Sequence, residues 1–472
     1  MSYEPTQVAD MTAGEMTVLF ETGELSPVEA AQACLQRVHD HNPKVNAYNL
    51  LNEELTFEAA RYSEERWRLG TPLGPIDGVP VAVKDIFLTQ GWPNRKGSLL
   101  TSAEPQTVDA PAIAALRRNG FVPLGRTTTP EFGWKGVTDN PLDGVTCNPW
   151  DPTKVSGGSS GGSGAAVALG MGPLALGTDA GGSIRIPAGF CGVVGFKPTH
   201  GLCPMWPPSA FDPLAHVGPM TWTVADNALL LDVLAEPDPR DVTLPANQVS
   251  FRDALEDANV AGLRIAFSAN FGFVDVDPEV AAAVAAAASQ FEEAGAIVET
   301  CDPGFSDPLE AFNRLFYAGA ANALRDIGAE DRQKMDPNLI HVAEWATGLS
   351  LLEFMQARNE RAALIERMSK FHQKWDLLLT PSLPIPAFDA GLEVPQGWPH
   401  ERWPTWTPFT YPFNMTGQPA ISVPCGFTKS GLPIGLQIVG PRHADVAVIQ
   451  AAHFYQQTRP LTSIRPAWIG ST

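Results

Sequence analysis

Two serine-bearing glycine clusters and one lysine carry the chemistry this chain can perform. The first cluster is Gly157-Gly158-Ser159-Ser160-Gly161-Gly162-Ser163 and the second is Gly177-Thr178-Asp179-Ala180-Gly181-Gly182-Ser183; both follow Lys84 in Val81-Ala82-Val83-Lys84-Asp85. A serine hydroxyl is a poor nucleophile until a neighbouring base takes its proton, and a lysine can be that base only when neutral. Neutrality at pH 7 requires lowering the lysine pKa by roughly 3.4 units, about 4.6 kcal/mol, which burial among apolar residues can supply. Val81, Ala82 and Val83 provide such surroundings. Glycines let the backbone turn sharply and approach a substrate closely, as an oxyanion-binding loop must. The residue set points to a serine hydrolase. For Lys84 the competing role is an ion pair with Asp85 or Asp179.

Taken alone, Gly157 to Gly164 has the composition of a flexible loop. The second cluster argues against that, because Gly181-Gly182-Ser183-Ile184-Arg185-Ile186-Pro187 again sets glycines before a serine and a helix start after it. Gly158-Ser159-Ser160-Gly161-Gly162 also fits a G-x-S-x-G elbow, which would make Ser160 a nucleophile needing an acid and a histidine later in the chain. His372, His443 and His453 follow, each in a context without a signature. No group of His, Cys and carboxylate residues has metal-ligand spacing, so neither a metal nor another cofactor is expected.

Alternating helices and strands must position these residues. Ser26-Pro27-Val28-Glu29 opens a helix with a capping box and a proline at its first position. A strand is expected over Asn46 to Leu51, a helix around Glu58 to Arg68, and a buried strand over Gly78 to Val83 that ends at Lys84. Pro111 to Arg118 reads as a helix closed by Gly120, followed by a strand over Phe121 to Gly125. Gly164 to Gly170 is expected to be helical, Pro173 to Leu176 a strand, and Ile184 a helix start, so both serine clusters would lie at strand-to-helix junctions. Helix amides there favour developing negative charge. Further helices are expected over Val224 to Leu234 and Pro278 to Ala294, with strands at Leu263 to Phe267, Trp375 to Leu379, Ile421 to Pro424 and Gly435 to Gly440. This is an α/β pattern. Residues 237–372 read as a mostly helical insertion or cap without recognisable chemistry, and no linker divides the 472 residues, so one domain is expected.

Composition narrows the partners. Hydrophobic residues make up 44% and charged residues 18%, and mean hydropathy is near zero, as in a soluble globule. The net charge of −20 would repel nucleic acid and anionic lipid. Cys34, Cys147, Cys191, Cys203, Cys301 and Cys425 show no C-x-x-C spacing and read as buried thiols in a reducing compartment. The stretch from Met1 to Phe20 lacks a basic n-region, and no apolar run approaches a membrane span, so a cytoplasmic protein is expected.

The signature residues resemble those of the amidase signature family. The match runs through Gly157 to Ala166, Gly177 to Ala188, Cys191-Gly192-Val193-Val194-Gly195-Phe196-Lys197-Pro198-Thr199, Gly218-Pro219-Met220 and Phe413-Asn414-Met415-Thr416-Gly417-Gln418-Pro419-Ala420. The resemblance implies a large mixed sheet between layers of helices, with Ser183 as nucleophile, Ser159 as a bridging serine in a cis peptide after Gly158, and Lys84 as base. It implies an oxyanion hole from the amides of Ala180, Gly181, Gly182 and Ser183. Ser160, Asp179 and Arg185 would support the loop without reacting. The implied reaction is hydrolysis of carboxamides, with esters and carbamates chemically permitted. A urethanase or nylon-oligomer hydrolase and the glutamine-hydrolysing component of a tRNA-dependent amidotransferase are alternatives, and a catalytically dead binding module is a third. Family members often dimerise, so a homodimer is expected. Aromatic residues in proline-rich stretches, Trp134, Trp206, Phe211, Trp403 and Tyr411, are expected to line a pocket for apolar or aryl groups.

Overall fold

The central apolar runs Pro80–Lys84, Val122–Thr127 and Pro433–Val439 become strands because they are buried on both faces. The computed structural model describes residues 3–241, 243, 249–461 and 464–470. Its strands are β1 (Tyr48–Leu51), β2 (Pro80–Lys84), β3 (Val122–Thr127), β4 (Asp139–Asn140), β5 (Gly144–Val145), β6 (Leu174–Asp179), β7 (Val194–Lys197), β8 (His216–Thr221), β9 (Arg264–Phe267), β10 (Ile297–Thr300), β11 (Leu377–Pro381), β12 (Ala420–Phe427) and β13 (Pro433–Val439). Eleven of them form one mixed sheet in the order β1-β3-β2-β6-β8-β7-β12-β13-β11-β9-β10, while β4 and β5 form a small ribbon. β2 is parallel to both β3 and β6, and β9 is parallel to β10 and β11; the remaining neighbours are antiparallel.

Strand alternation sends successive side chains to opposite faces. On one face Ile421, Leu436 and Ile438 join the core made with Val284 and Val448 of helices Pro278–Glu293 and Asp445–Thr458. On the other face Gln437 meets Arg185 at the start of helix Arg185–Cys191, which lies beside helix Gly161–Ala168. Helices therefore cover both sides of the sheet, as expected.

Helices Pro111–Arg118 and Val224–Leu234 have the bounds their sequence signals predict, and Ser26 caps helix Pro27–Val45 with Glu29 completing the capping box. Three expectations need correction. The first serine cluster does not follow a strand: residues 149–160 are irregular, and the helix begins at Gly161 rather than Gly164. Segment 237–372 is not only a helical cap, because β9 and β10 within it extend the central sheet. Its purely helical part runs from Leu309 to Phe371, and residues 242 and 244–248 lie outside the described residues, as do 1 and 2. β7, β8 and β10 were not expected, since glycine and proline interrupt the first two and β10 is largely exposed.

No helix among the described residues is long and apolar enough to cross a membrane. Four of the six free cysteines are buried, and Cys147 and Cys301 are half-buried.

Candidate active site

Because β2, β3 and β6 are parallel, their carboxyl ends open at one edge of the sheet. Lys84 ends β2, and Thr178 and Asp179 end β6. The two serine loops meet over this edge, where the Ser160 N–H donates to the Ser183 carbonyl at 3.1 Å. The Gly158–Ser159 peptide is cis.

Lys84 is fully buried. Its Nζ lies 2.7 Å from Ser159 Oγ, 2.9 Å from Ser160 Oγ and 2.8 Å from Thr178 Oγ1. Among the described residues no carboxylate bonds to it, so the competing ion pair is not formed. Asp85 turns instead to Arg126 at 3.0 Å, and Asp179 to Arg185 at 3.0 Å. Burial pushes the Lys84 pKa well below its ordinary 10.5, and the charge of Asp179 offsets this only in part. A neutral amine offers two N–H donors and one lone pair, so one of the three hydroxyls can donate to it.

The Asp179–Arg185 pair is organised differently. Arg185 Nε and Nη2 grip Asp179 at 3.0 Å each, Nη2 also donates to Asn414 Oδ1 at 2.7 Å, and Nη1 donates to Thr410 O and Gln437 Oε1 at 2.9 Å. All five guanidinium donors are used. Burial alone would raise the Asp179 pKa, but the Arg185 charge and its hydrogen bonds hold it well below the carboxylate range. Asp179 also accepts the N–H of Gly182 at 2.7 Å and of Ile184 at 3.2 Å. Of the four amides expected to receive the oxyanion, that of Gly182 is donated to Asp179 in this arrangement. Among the described residues the Gly181 and Ser183 amides have no such partner, and Ala180 and Ser183 line the adjacent cavity. Gly182 has φ +127°, a conformation that favours glycine, and Thr410 Oγ1 fixes the loop by donating to Gly181 O at 2.7 Å.

A cavity of about 310 Å³ opens onto Ser159, Thr178, Ala180 and Ser183. Its walls are mainly apolar, with Ile86, Phe132, Met205 and Val217 beside Trp206 and Phe211. Two of the five expected aromatic residues thus line it. Trp134, Trp403 and Tyr411 do not, because each is packed into the interior. The Trp403 ring reaches within 2.7 Å of where a Gly181 Cβ would stand, with Phe312 at 2.8 Å, so these rings back the loop from behind. Trp134 Nε1 donates to Asp336 at 3.1 Å, and the Tyr411 hydroxyl bonds Asp307.

The elbow alternative is not assembled. Ser160 is fully buried and bonded to Lys84. His372 meets Trp375 O at 2.9 Å, the His443 N–H donates to Thr199, and His453 lies in helix Asp445–Thr458. Ser163 Oγ lies 2.8 Å from both Thr127 Oγ1 and Leu176 O, away from the base. Sequence reasoning passed over Thr178, although it stands inside the second cluster, and over Asn414, although it lies in the stretch from Phe413 to Ala420. It gave no signal for Thr410 or Gln437. Among the described residues no group of three or more His, Cys, Asp or Glu side chains could hold a metal.

Comparison with known proteins shows the family and the fold. The Amidase family profile matches residues 29–449. An acylamidase of Rhodococcus erythropolis is 38% identical over 467 residues, which cover 97% of each chain. The A component of the glutamyl-tRNA(Gln) amidotransferase of Myxococcus xanthus is 35% identical over 480 residues, covering 96% of this chain and 98% of that one. The crystal structure of a bacterial aryl acylamidase of the amidase signature enzymes superposes with a TM-score of 0.90 at 30% identity, over 96% of this chain and 97% of that chain.

Proposed function

The chain belongs to the amidase signature family of C–N hydrolases, and from that premise we propose that it is an acylamide amidohydrolase acting on apolar or aryl carboxamides through an acyl-enzyme on Ser183. One observation carries this reading: a fully buried lysine, 2.7 Å from Ser159, held by three hydroxyls and, among the described residues, by no carboxylate. Such a lysine is driven toward its neutral amine and can act as a base rather than as half of an ion pair.

In the reaction, Lys84 takes the Ser159 proton while Ser159 takes that of Ser183, whose oxygen attacks the substrate carbonyl carbon. The resulting oxyanion is received by loop amides, with Gly181 and Ser183 supplying the donors and Gly182 held back by Asp179. The C–N bond then breaks as the proton returns through Ser159 to the leaving amine. Water, deprotonated along the same relay, cleaves the ester and releases the acid. Esters and carbamates fit the same sequence of bonds. The apolar lining around Trp206 and Phe211, and the acylamidase relatives, support an apolar or aryl acyl or amine group.

A second reading is glutamine hydrolysis, supported by the amidotransferase component found among the relatives. Amine or ammonia release from an aryl anilide, an aliphatic amide, an aryl carbamate and free glutamine separates the two. Anilide turnover abolished by Ser183→Ala and Lys84→Ala supports the amidase, activity on glutamine alone selects the second reading, and activity surviving Ser183→Ala sinks the nucleophile assignment. We further propose a homodimer in the cytoplasm; buried free thiols support a reducing compartment.

A further inference from the structure

Among the described residues lining the active-site cavity, Lys96 alone carries a charged side chain. That is unexpected in a chain with 52 acidic and 32 basic residues, where most lysines could find a carboxylate. Among the described residues, however, Lys96 has no ion pair. The carboxylate whose charge it feels, Asp85, is paired with Arg126 at 3.0 Å and accepts the Arg95 N–H and Asn49 Nδ2, each at 3.1 Å. Lys96 is also partly buried, and burial lowers its pKa from 10.5. A partly dehydrated ammonium without a counter-charge is unfavourable in the empty site and becomes favourable when a ligand supplies an anion.

The backbone ties this lysine to a loop that lines the same cavity as Ser159 and Ser183. Lys96 has φ 51° and Phe132 has φ 53°, and both are non-glycine residues in the left-handed region. They are joined by a hydrogen bond from the Phe132 N–H to the Lys96 carbonyl at 2.8 Å. Phe132 precedes Gly133, where a Cβ would stand 3.4 Å from Ser159 Oγ. Strained residues of this kind cluster at binding and catalytic sites, where surrounding contacts enforce them.

We propose that Lys96 determines specificity by binding a carboxylate carried on the amide substrate, whose apolar body lies against Ile86, Phe132 and Phe211. The inference rests on the amide-hydrolase reading and narrows it: the preferred amides are amphipathic, with an anion at one end and hydrocarbon next to the scissile bond. Lys96 acts on binding and takes no part in bond making or breaking.

Two substrate pairs test this: the 4-nitroanilides of glutaric and pentanoic acids, and 4-acetamidobenzoate with 4-acetamidotoluene. The measured quantity is the ratio of kcat/KM for the charged over the uncharged member. In the wild type at least one pair is expected to favour the carboxylate by about ten- to a hundred-fold. That ratio should collapse toward one in Lys96→Met, mainly through KM, and be largely retained in Lys96→Arg. Calorimetric binding of the same compounds to Ser183→Ala, with and without Lys96→Met, reads the preference without turnover. Neutral anilides cleaved with no carboxylate preference, or a preference unchanged in Lys96→Met, would overturn the assignment of Lys96 alone. Lys96-dependent binding without any Ser183-dependent amine release would instead overturn the hydrolase reading and leave Lys96 as an anion-binding group.

Discussion

Two buried basic side chains, Lys84 and Arg185, stand at the same edge of the sheet, and they are partnered in opposite ways. Arg185 has every donor used and a carboxylate at two of its nitrogens, whereas Lys84 has three hydroxyls and, among the described residues, no carboxylate. Burial penalises charge in both places. At Arg185 the penalty is offset by the ion pair, so the group stays charged and rigid. At Lys84 it is not offset, so the amine is driven toward neutrality. One cluster therefore serves as scaffold and the other as base, and the difference lies in the partners rather than in the depth of burial.

The largest expected effects fall on the base cluster. Ser183→Ala should reduce kcat on any accepted amide by at least about a thousand-fold, since the residual rate comes only from the surrounding binding groups. Lys84→Arg should be nearly as severe despite retaining a cation, because a guanidinium is not deprotonated. If Lys84→Arg kept more than about a tenth of the activity, Lys84 would be acting as a charge and the contrast with Arg185 would disappear.

The scaffold cluster should instead fail in stability. Asp179→Asn leaves Arg185 buried without its counter-charge and should cost about 3–5 kcal/mol in chemical denaturation. A loss below about 1 kcal/mol would show that the surrounding carbonyls suffice. Replacing both residues with apolar ones should recover part of the loss, since a buried pair is often worth little more than well-packed hydrocarbon.

The pH dependence of stability separates the clusters next. Between the depressed pKa of folded Lys84 and the ordinary 10.5 of the unfolded chain, the unfolded state binds the extra proton. Unfolding free energy then rises with pH across that window, by up to about 1.4 kcal/mol per unit, and flattens below the folded value. Lys197, also buried with a lowered pKa, adds to the same trend. Lys84→Met should remove its share of the slope, as seen by denaturation of both proteins from pH 7 to 10. Asp179 gives a slope of the same sign in a separate, acidic window: its contribution is present above the unfolded value of 3.8 and is lost as pH falls toward the folded one.

Much of the base cluster was legible because local sequence determines it. Lys84 ends an apolar β-branched run, and the serines stand in glycine-rich turns, so strand end and loop follow from neighbours along the chain. What was illegible depended on distant contacts. Trp206 and Trp403 both sit among prolines, yet one lines the cavity and the other is covered by Phe312 from helix Leu309–Ala323. Nothing near Trp403 in sequence announces that cover. The committed Gly182 amide was readable in principle, since an aspartate three residues earlier can capture it in a local turn. β7 was missed because Val194-Gly195-Phe196-Lys197 takes its strand form from pairing with β8 and β12 rather than from its own propensity.

The smallest effect is the most discriminating. Thr178 Oγ1 lies 2.8 Å from Lys84 Nζ, and Thr178→Val keeps the shape while removing the hydroxyl. If that hydroxyl accepts from the ammonium, its loss disfavours the charged form, lowers the Lys84 pKa further, and moves the acidic limb of kcat/KM to lower pH. A hydrogen bond to a charged group is worth roughly 1.5 kcal/mol, which corresponds to a shift of about one unit. If the hydroxyl instead donates to the neutral amine, the same substitution raises the pKa and moves the limb upward. Plateau activity should change by less than about threefold in either case, so the direction of the shift identifies which protonation state Thr178 serves. A downward shift is expected, because Thr178 then complements Ser159, the one hydroxyl that must give its proton to Lys84.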